Sequence, residues 1–137
     1  MDVPTVPLEQ VRKLLQYRYA DPLEDALHEY ADYLGKPFEA ILEEYRHLEA
    51  TNYVDLLGPD IHLLCLMLAP LQLSHLLARL QIMLGLALPY HFASYLDIGA
   101  GSGRDCIAFA RCGFKTTSAD IPWEGMDFAQ WRYAQRR

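Results

Sequence analysis

Cysteine is scarce in this 137-residue chain, and its three copies, Cys65, Cys106 and Cys112, form no CxxC pair. An odd number of thiols, set in segments that read as helix, argues against a disulfide scaffold and fits a reducing cytoplasm. The five histidines, His28, His47, His62, His75 and His91, show neither HxxxH nor HxxE spacing, so no metal site is expected. The opening residues MDVPTVPLEQ lack the basic stretch followed by an apolar one that directs export. The 18 residues from Ile61 to Ala78 carry no formal charge, which reaches the lower limit for a membrane span. Pro70 interrupts that run, however, and His62, Gln72, Ser74 and His75 would be stranded in hydrocarbon. Two packed core helices, and no membrane span, are expected there.

Basic surface is also in short supply. Residues 1–60 hold 13 acids against 5 bases, and residues 61–137 hold 5 acids against 7 bases. An acidic first half speaks against a nucleic-acid platform and leaves solvation, or attraction of a basic partner, as its role. With 52% hydrophobic and 22% charged residues the chain has the composition of a folded protein. No internal repeat and no low-complexity tract is present.

No strand signal precedes Ser94. Residues 1–90 instead carry apolar residues at three- and four-residue spacings, with helix punctuation between them. One helix is expected from Pro7, with Leu8, Val11, Leu14, Leu15 and Tyr19 on a stripe. A second should be capped by Asp21, opened by Pro22 and stopped by Gly35. A third should span Pro37 to Glu49 through Phe38, Ile41, Leu42, Tyr45 and Leu48. Gly58-Pro59-Asp60 breaks the pattern, followed by a short helix to Ala69 and a longer one from Pro70 to Leu88. The longer helix has a stripe of Leu73, Leu76, Leu77, Leu80 and Leu84, with Leu71, Ile82 and Leu86 on further sides, which suggests burial on more than one face. It would lie either between a helical bundle and a sheet domain or in a subunit interface. From Ser94 the pattern becomes strand (95–98), helix (103–112), strand (115–119) and helix (123–136), a β-α-β-α run. The fold class is therefore α/β and mostly helical, with a helical N-terminal cap at 1–90 and a partial nucleotide-binding domain at 91–137.

The chemistry concentrates where the first strand ends, at Asp97-Ile98-Gly99-Ala100-Gly101-Ser102-Gly103. A strand that turns sharply into a helix beneath a ligand needs residues that tolerate positive φ and carry no obstructing side chain. The following helix directs free N–H groups and its positive dipole end at the turn. Asp120 stands 21 residues after Gly99, at the tip of the second strand, where a carboxylate can accept hydrogen bonds from both ribose hydroxyls of an adenosine. Nicotinamide dinucleotides use a related GxGxxG turn; this loop is GxGxG, with the bulky Arg104 where the third dinucleotide glycine would stand.

The segment Tyr95-Leu96-Asp97-Ile98-Gly99-Ala100-Gly101-Ser102-Gly103-Arg104-Asp105 resembles motif I of class I, Rossmann-like S-adenosylmethionine-dependent methyltransferases, and Thr117-Ser118-Ala119-Asp120-Ile121 resembles their second-strand acid. The resemblance covers about residues 94–137. It implies that Asp97 helps to hold the amino group of the cofactor's methionine part, that Gly99, Ala100, Gly101 and Gly103 line the cofactor with backbone, that Asp120 binds the ribose and that Ile121 lies against the adenine. A helical cap before the first strand fits the family by fold-level analogy. Tyr17, Tyr19, Tyr90 and His91 are candidate pocket residues, each with an equally simple structural role, and no general base stands out. The closing Arg132, Arg136 and Arg137 are accounted for by favourable contact with a helix C-terminus, and Trp123 and Trp131 by packing.

A family domain has seven strands and the chain supplies two, so three expectations stay open: a fragment of a longer enzyme, one half of a split enzyme, or a truncated paralogue. Two parallel strands leave an open sheet that a protein partner or self-association would complete. The function implied is methyl transfer from S-adenosylmethionine to a small molecule; the alternative is a non-catalytic cofactor-binding or interaction subunit.

Overall fold

The computed structural model describes residues 2–19, 22–49 and 70–136. The helix cap at Asp21, the break at Gly58-Pro59-Asp60 and the short helix to Ala69 lie outside them, as do Cys65 and Arg137. The described residues are mostly helical, with one two-stranded parallel sheet. In chain order the elements are α1 (Leu8–Leu15), α2 (Pro22–Leu34), α3 (Phe38–Glu49), α4 (Pro70–Ala87), a 3-10 turn (Leu88–Tyr90), β1 (Ser94–Ile98), α5 (Arg104–Arg111), β2 (Lys115–Ala119) and α6 (Glu124–Gln135). Among the described residues no helix is long and apolar enough to cross a membrane.

Contacts gather the chain into two compact units, residues 18–74 and residues 1–17 with 75–137. In the first, α2 and α3 pack on each other through Ala26, Leu27, Tyr30, Ala31, Ile41 and Tyr45. Gly35 ends α2 with a φ of 65°, and Pro37 opens α3, its carbonyl accepting from Ala40 N at 3.1 Å. The buried Asp25 carboxylate accepts the Arg18 and Tyr19 amides at 2.6 and 3.0 Å, pinning the chain that enters α2. His28 is sandwiched between Tyr19 and Phe38, with ring centroids 4.3 and 3.7 Å away.

The second unit is organised around α5. Its residues Arg104 to Phe109 are all buried, because β1 and β2 pack on it from one side and α1 also packs on it. Phe109 stacks on Tyr95 of β1, centroids 4.0 Å apart, and meets the edge of Phe114, just before β2, at 5.1 Å. Such aromatic pairs contribute about 0.5–1.5 kcal/mol each beyond their area, and these two lock both strands to one helix. The strands run parallel in the register Ser94 with Lys115 through Ile98 with Ala119. Tyr95 and Asp97 share the half-buried face with Thr116 and Ser118, whereas Leu96 and Ile98 on the other face are 60% and 80% exposed.

Leu77, Leu80 and Leu84 of α4 are buried in a single stripe, and Ile82 and Leu86 face outward. Burial on more than one face is thus not found over the described part of this helix, since its apolar excess lies on its open side. The extended N-terminal segment runs along α4: Val6 N donates to Gln81 O at 3.1 Å and the Gln81 amide returns a bond to Val6 O at 2.9 Å. A Cβ on Gly85 would collide with the backbone of Pro4 and Thr5. Gly85→Ala is therefore expected to lower stability in urea unfolding by about 1–3 kcal/mol through overpacking, even though alanine favours helix by about 1 kcal/mol. An unchanged or raised stability would show that the segment does not lie against α4.

Candidate functional site

The turn between β1 and α5 is shaped by three glycines in left-handed conformation, Gly99, Gly101 and Gly103, with φ of 75°, 56° and 79°. The Gly99 and Ala100 amides share the carbonyl of Ala119 as acceptor, at 2.7 and 3.3 Å, so the loop is sewn to the end of β2. Gly103 N closes the turn on Ala100 O at 3.0 Å. The glycines then differ in their surroundings. A Cβ on Gly99 or Gly101 would meet nothing within 4 Å, whereas one on Gly103 would run into the ring and hydroxyl of Tyr133. One side of the loop is thus open to a ligand and the other is packed against α6.

Asp120 is the residue that ties this loop down. Its Oδ2 accepts from Gly101 N at 2.8 Å and from the Trp123 indole N–H at 3.2 Å, and its Oδ1 accepts from Ile121 N at 2.8 Å. Burial opposes ionisation, but these three donors outweigh it and hold the carboxyl below its ordinary value. A group whose pKa is depressed on folding lends stability above its unfolded value, about 3.9, and loses it as pH falls through the folded one. The staple is thus in place at neutral pH and released in acid.

The other candidates lie around this pair. Asp97, half-buried on the inner face of β1, is raised above the ordinary carboxyl value, first by burial and then by the Asp105 and Asp120 carboxylates, with Arg79 opposing. Asp105 is buried and receives Arg79 Nη2 at 2.5 Å. Ile121 is 72% exposed beside Asp120, and with the exposed Ile98 it offers an apolar surface at the strand tips. Of the candidate pocket residues before β1, Tyr90 is exposed and stacks on Phe92, and His91 is the left-handed cap of the 3-10 turn.

No family model, no curated protein and no solved structure matches the chain.

Several residues on which the loop depends carried no clear mark in the sequence. Trp123, assigned to packing, is a hydrogen-bond donor to Asp120. Arg132, assigned to the end of a helix, is buried and donates to the Ser102 carbonyl at 2.9 Å and its hydroxyl at 3.3 Å, with its guanidinium 5.4 Å from the Phe128 ring centre. Arg136 donates to Leu15 O and so caps α1. The helix-end reading holds in part, since Arg132 lies in the last turn of α6 and Arg136 donates to Arg132 O at 3.1 Å, but both also brace the loop and α1. Arg104 is buried, its Nη1 has no hydrogen-bond partner, and burial followed by the neighbouring Arg132 guanidinium lowers its pKa against the opposing pull of Tyr17. Arg79 did leave a trace, as the single formal charge between Asp60 and Asp97. Among the described residues no group of three or more metal-binding side chains gathers.

Placing a side chain in the left-handed region costs about 1–2 kcal/mol. Gly101→Ala is expected to show that cost alone, and Gly103→Ala a larger one, since Tyr133 must also move. In a double-mutant cycle, Tyr133→Leu should return part of the Gly103→Ala loss; strict additivity in thermal unfolding would contradict the packing of Tyr133 against the loop.

Proposed function

We propose that the loop and Asp120 form the nucleoside-binding half of an S-adenosylmethionine site of Rossmann-like type, and that the chain serves methyl transfer to a small-molecule acceptor. What carries this reading is the Asp120 to Gly101 hydrogen bond, which sets a strand-tip carboxylate directly against the glycine turn. Asp97 and the loop backbone would take the amino-acid part of the cofactor, Asp120 the ribose, and the exposed Ile121 one face of the adenine. The cofactor carries the reactive methyl group; the chain's part is to fix its orientation.

Electrostatics favours this cofactor over a dinucleotide. A pyrophosphate needs free backbone N–H groups and nearby positive charge, yet the Gly101 amide already serves a carboxylate. Burial first, and then the Asp105 and Asp120 carboxylates, disfavour ionisation of Asp97, and the nearby Arg104 is buried. A sulfonium and an ammonium group suit such a field.

A second reading, a non-catalytic cofactor-binding or interaction subunit, draws support from the exposed Leu96 and Ile98 on the uncovered sheet face. A protein partner or a second copy would cover that face.

A carboxylate offers about four acceptor positions, and three of those on Asp120 are used internally. Gripping both ribose hydroxyls therefore requires one internal bond to yield, and the longest is that of Trp123, at 3.2 Å. S-adenosylmethionine is expected to bind in calorimetry and to change the tryptophan fluorescence, while NAD does neither. Asp120→Asn should weaken binding by about tenfold or more, and Trp123→Phe should strengthen it. Absence of S-adenosylmethionine binding at millimolar concentration, or binding of NAD in its place, would overturn the proposal.

A further inference from the structure

On the inner side of the sheet, between α5, β2 and α6, lies a cavity of about 360 Å³. It exists because short side chains meet there: Cys106 and Ala110 on the helix oppose Thr116 and Ser118 on the strand. Parallel strands covered by helices normally present branched apolar residues that fill such a space. Here β2 presents hydroxyls instead, and the room left is that of a small-molecule site.

The lining has a consistent chemistry. Arg111 and Arg136 bring two guanidiniums, and no carboxylate accompanies them, although the chain as a whole has a net charge of -6. Thr116, Ser118 and Tyr133 add hydroxyls. The Tyr133 hydroxyl is buried beside the Ser118 hydroxyl and the Cys106 thiol, with which it interacts at the cavity wall. Ile107 and Ala110 supply an apolar wall.

We propose that this cavity binds a small organic oxyanion, a carboxylate or phosphate monoester on a short apolar body. Arg111, exposed and able to swing, and Arg136, fixed by its bonds to Leu15 O and Arg132 O, flank the anion. Tyr133 and Ser118 donate to it, and Ile107 receives the apolar body. The site shares no residue with the cofactor loop, but Tyr133 belongs to its wall and packs under Gly103, so occupancy is felt at the loop. This inference stands whether or not the loop binds S-adenosylmethionine.

The test is titration of the full chain, followed by amide NMR, with benzoate, phenyl phosphate and the neutral benzamide. Saturable shifts at Cys106, Ile107, Thr116 and Ser118 are expected with one or both anions and not with benzamide, and the stronger anion identifies the headgroup. Arg111→Gln, at an exposed position, should weaken binding by about tenfold, and Ala110→Phe should abolish it by filling the cavity. If Ala110→Phe fails to fold, Arg111→Gln alone decides. No saturable binding of either anion, equal binding of benzamide, or unchanged affinity in Arg111→Gln would each overturn the proposal.

Discussion

The hydrogen bond from Gly101 N to the Asp120 carboxylate is the constraint on which the loop depends. It joins the first strand's exit to the second strand's exit, so the loop cannot open without detaching both. Gly101 adopts positive φ in this turn, and the ionised Asp120 carboxylate accepts its amide more strongly than a neutral carboxyl would. Trp123 and Ile121 add their donors to the same group. The acid is therefore a structural part of the turn before it is a ligand to anything, and whatever binds on the open side competes for a carboxylate already in use.

The underside of the loop is held by cations. Arg132 donates to Ser102, Arg136 secures Leu15 at the end of α1, and Arg104 lies buried beside Arg132. Burying guanidiniums is expensive unless their donors are satisfied, and the carbonyls of Ser102, Leu15 and Arg132 meet part of that need. The carboxylates of Asp97, Asp105 and Asp120 lie in the same neighbourhood, with Arg79 paired to Asp105 and Arg104 also drawn to it.

Much of the local structure was legible in the sequence because it follows from local rules. The change from helical spacing to short segments bounded by glycine placed both strands, and Pro37 and Gly35 marked helix ends that the structure reproduces within a residue or two. Asp120 was legible as a partner of the glycine loop because its distance along the chain is fixed by one helix and one strand. Its hydrogen bonds were not, since they depend on the angle at which two strands meet. The bracing by Arg132 and Tyr133 was hidden for the same reason: a cation at the end of a helix has an adequate explanation in the helix itself, and only the packing of α6 under Gly103 reveals another. The cavity beside β2 left a faint sign in Thr116-Thr117-Ser118, hydroxyl residues where a covered parallel strand would ordinarily carry valine or isoleucine. The joining of α1 to the strand segment had no sign, because helical periodicity shows which face is apolar and not what will cover it.

The most direct measurement is the pH dependence of the Gly101 amide resonance. If the Asp120 carboxylate accepts from that amide, its shift should follow a titration with a midpoint below the ordinary aspartate value of about 3.9, and the Trp123 indole resonance should move with it. A Gly101 resonance that shows no inflection, or one with a midpoint at or above the ordinary value, would contradict the staple and with it the organisation of the loop.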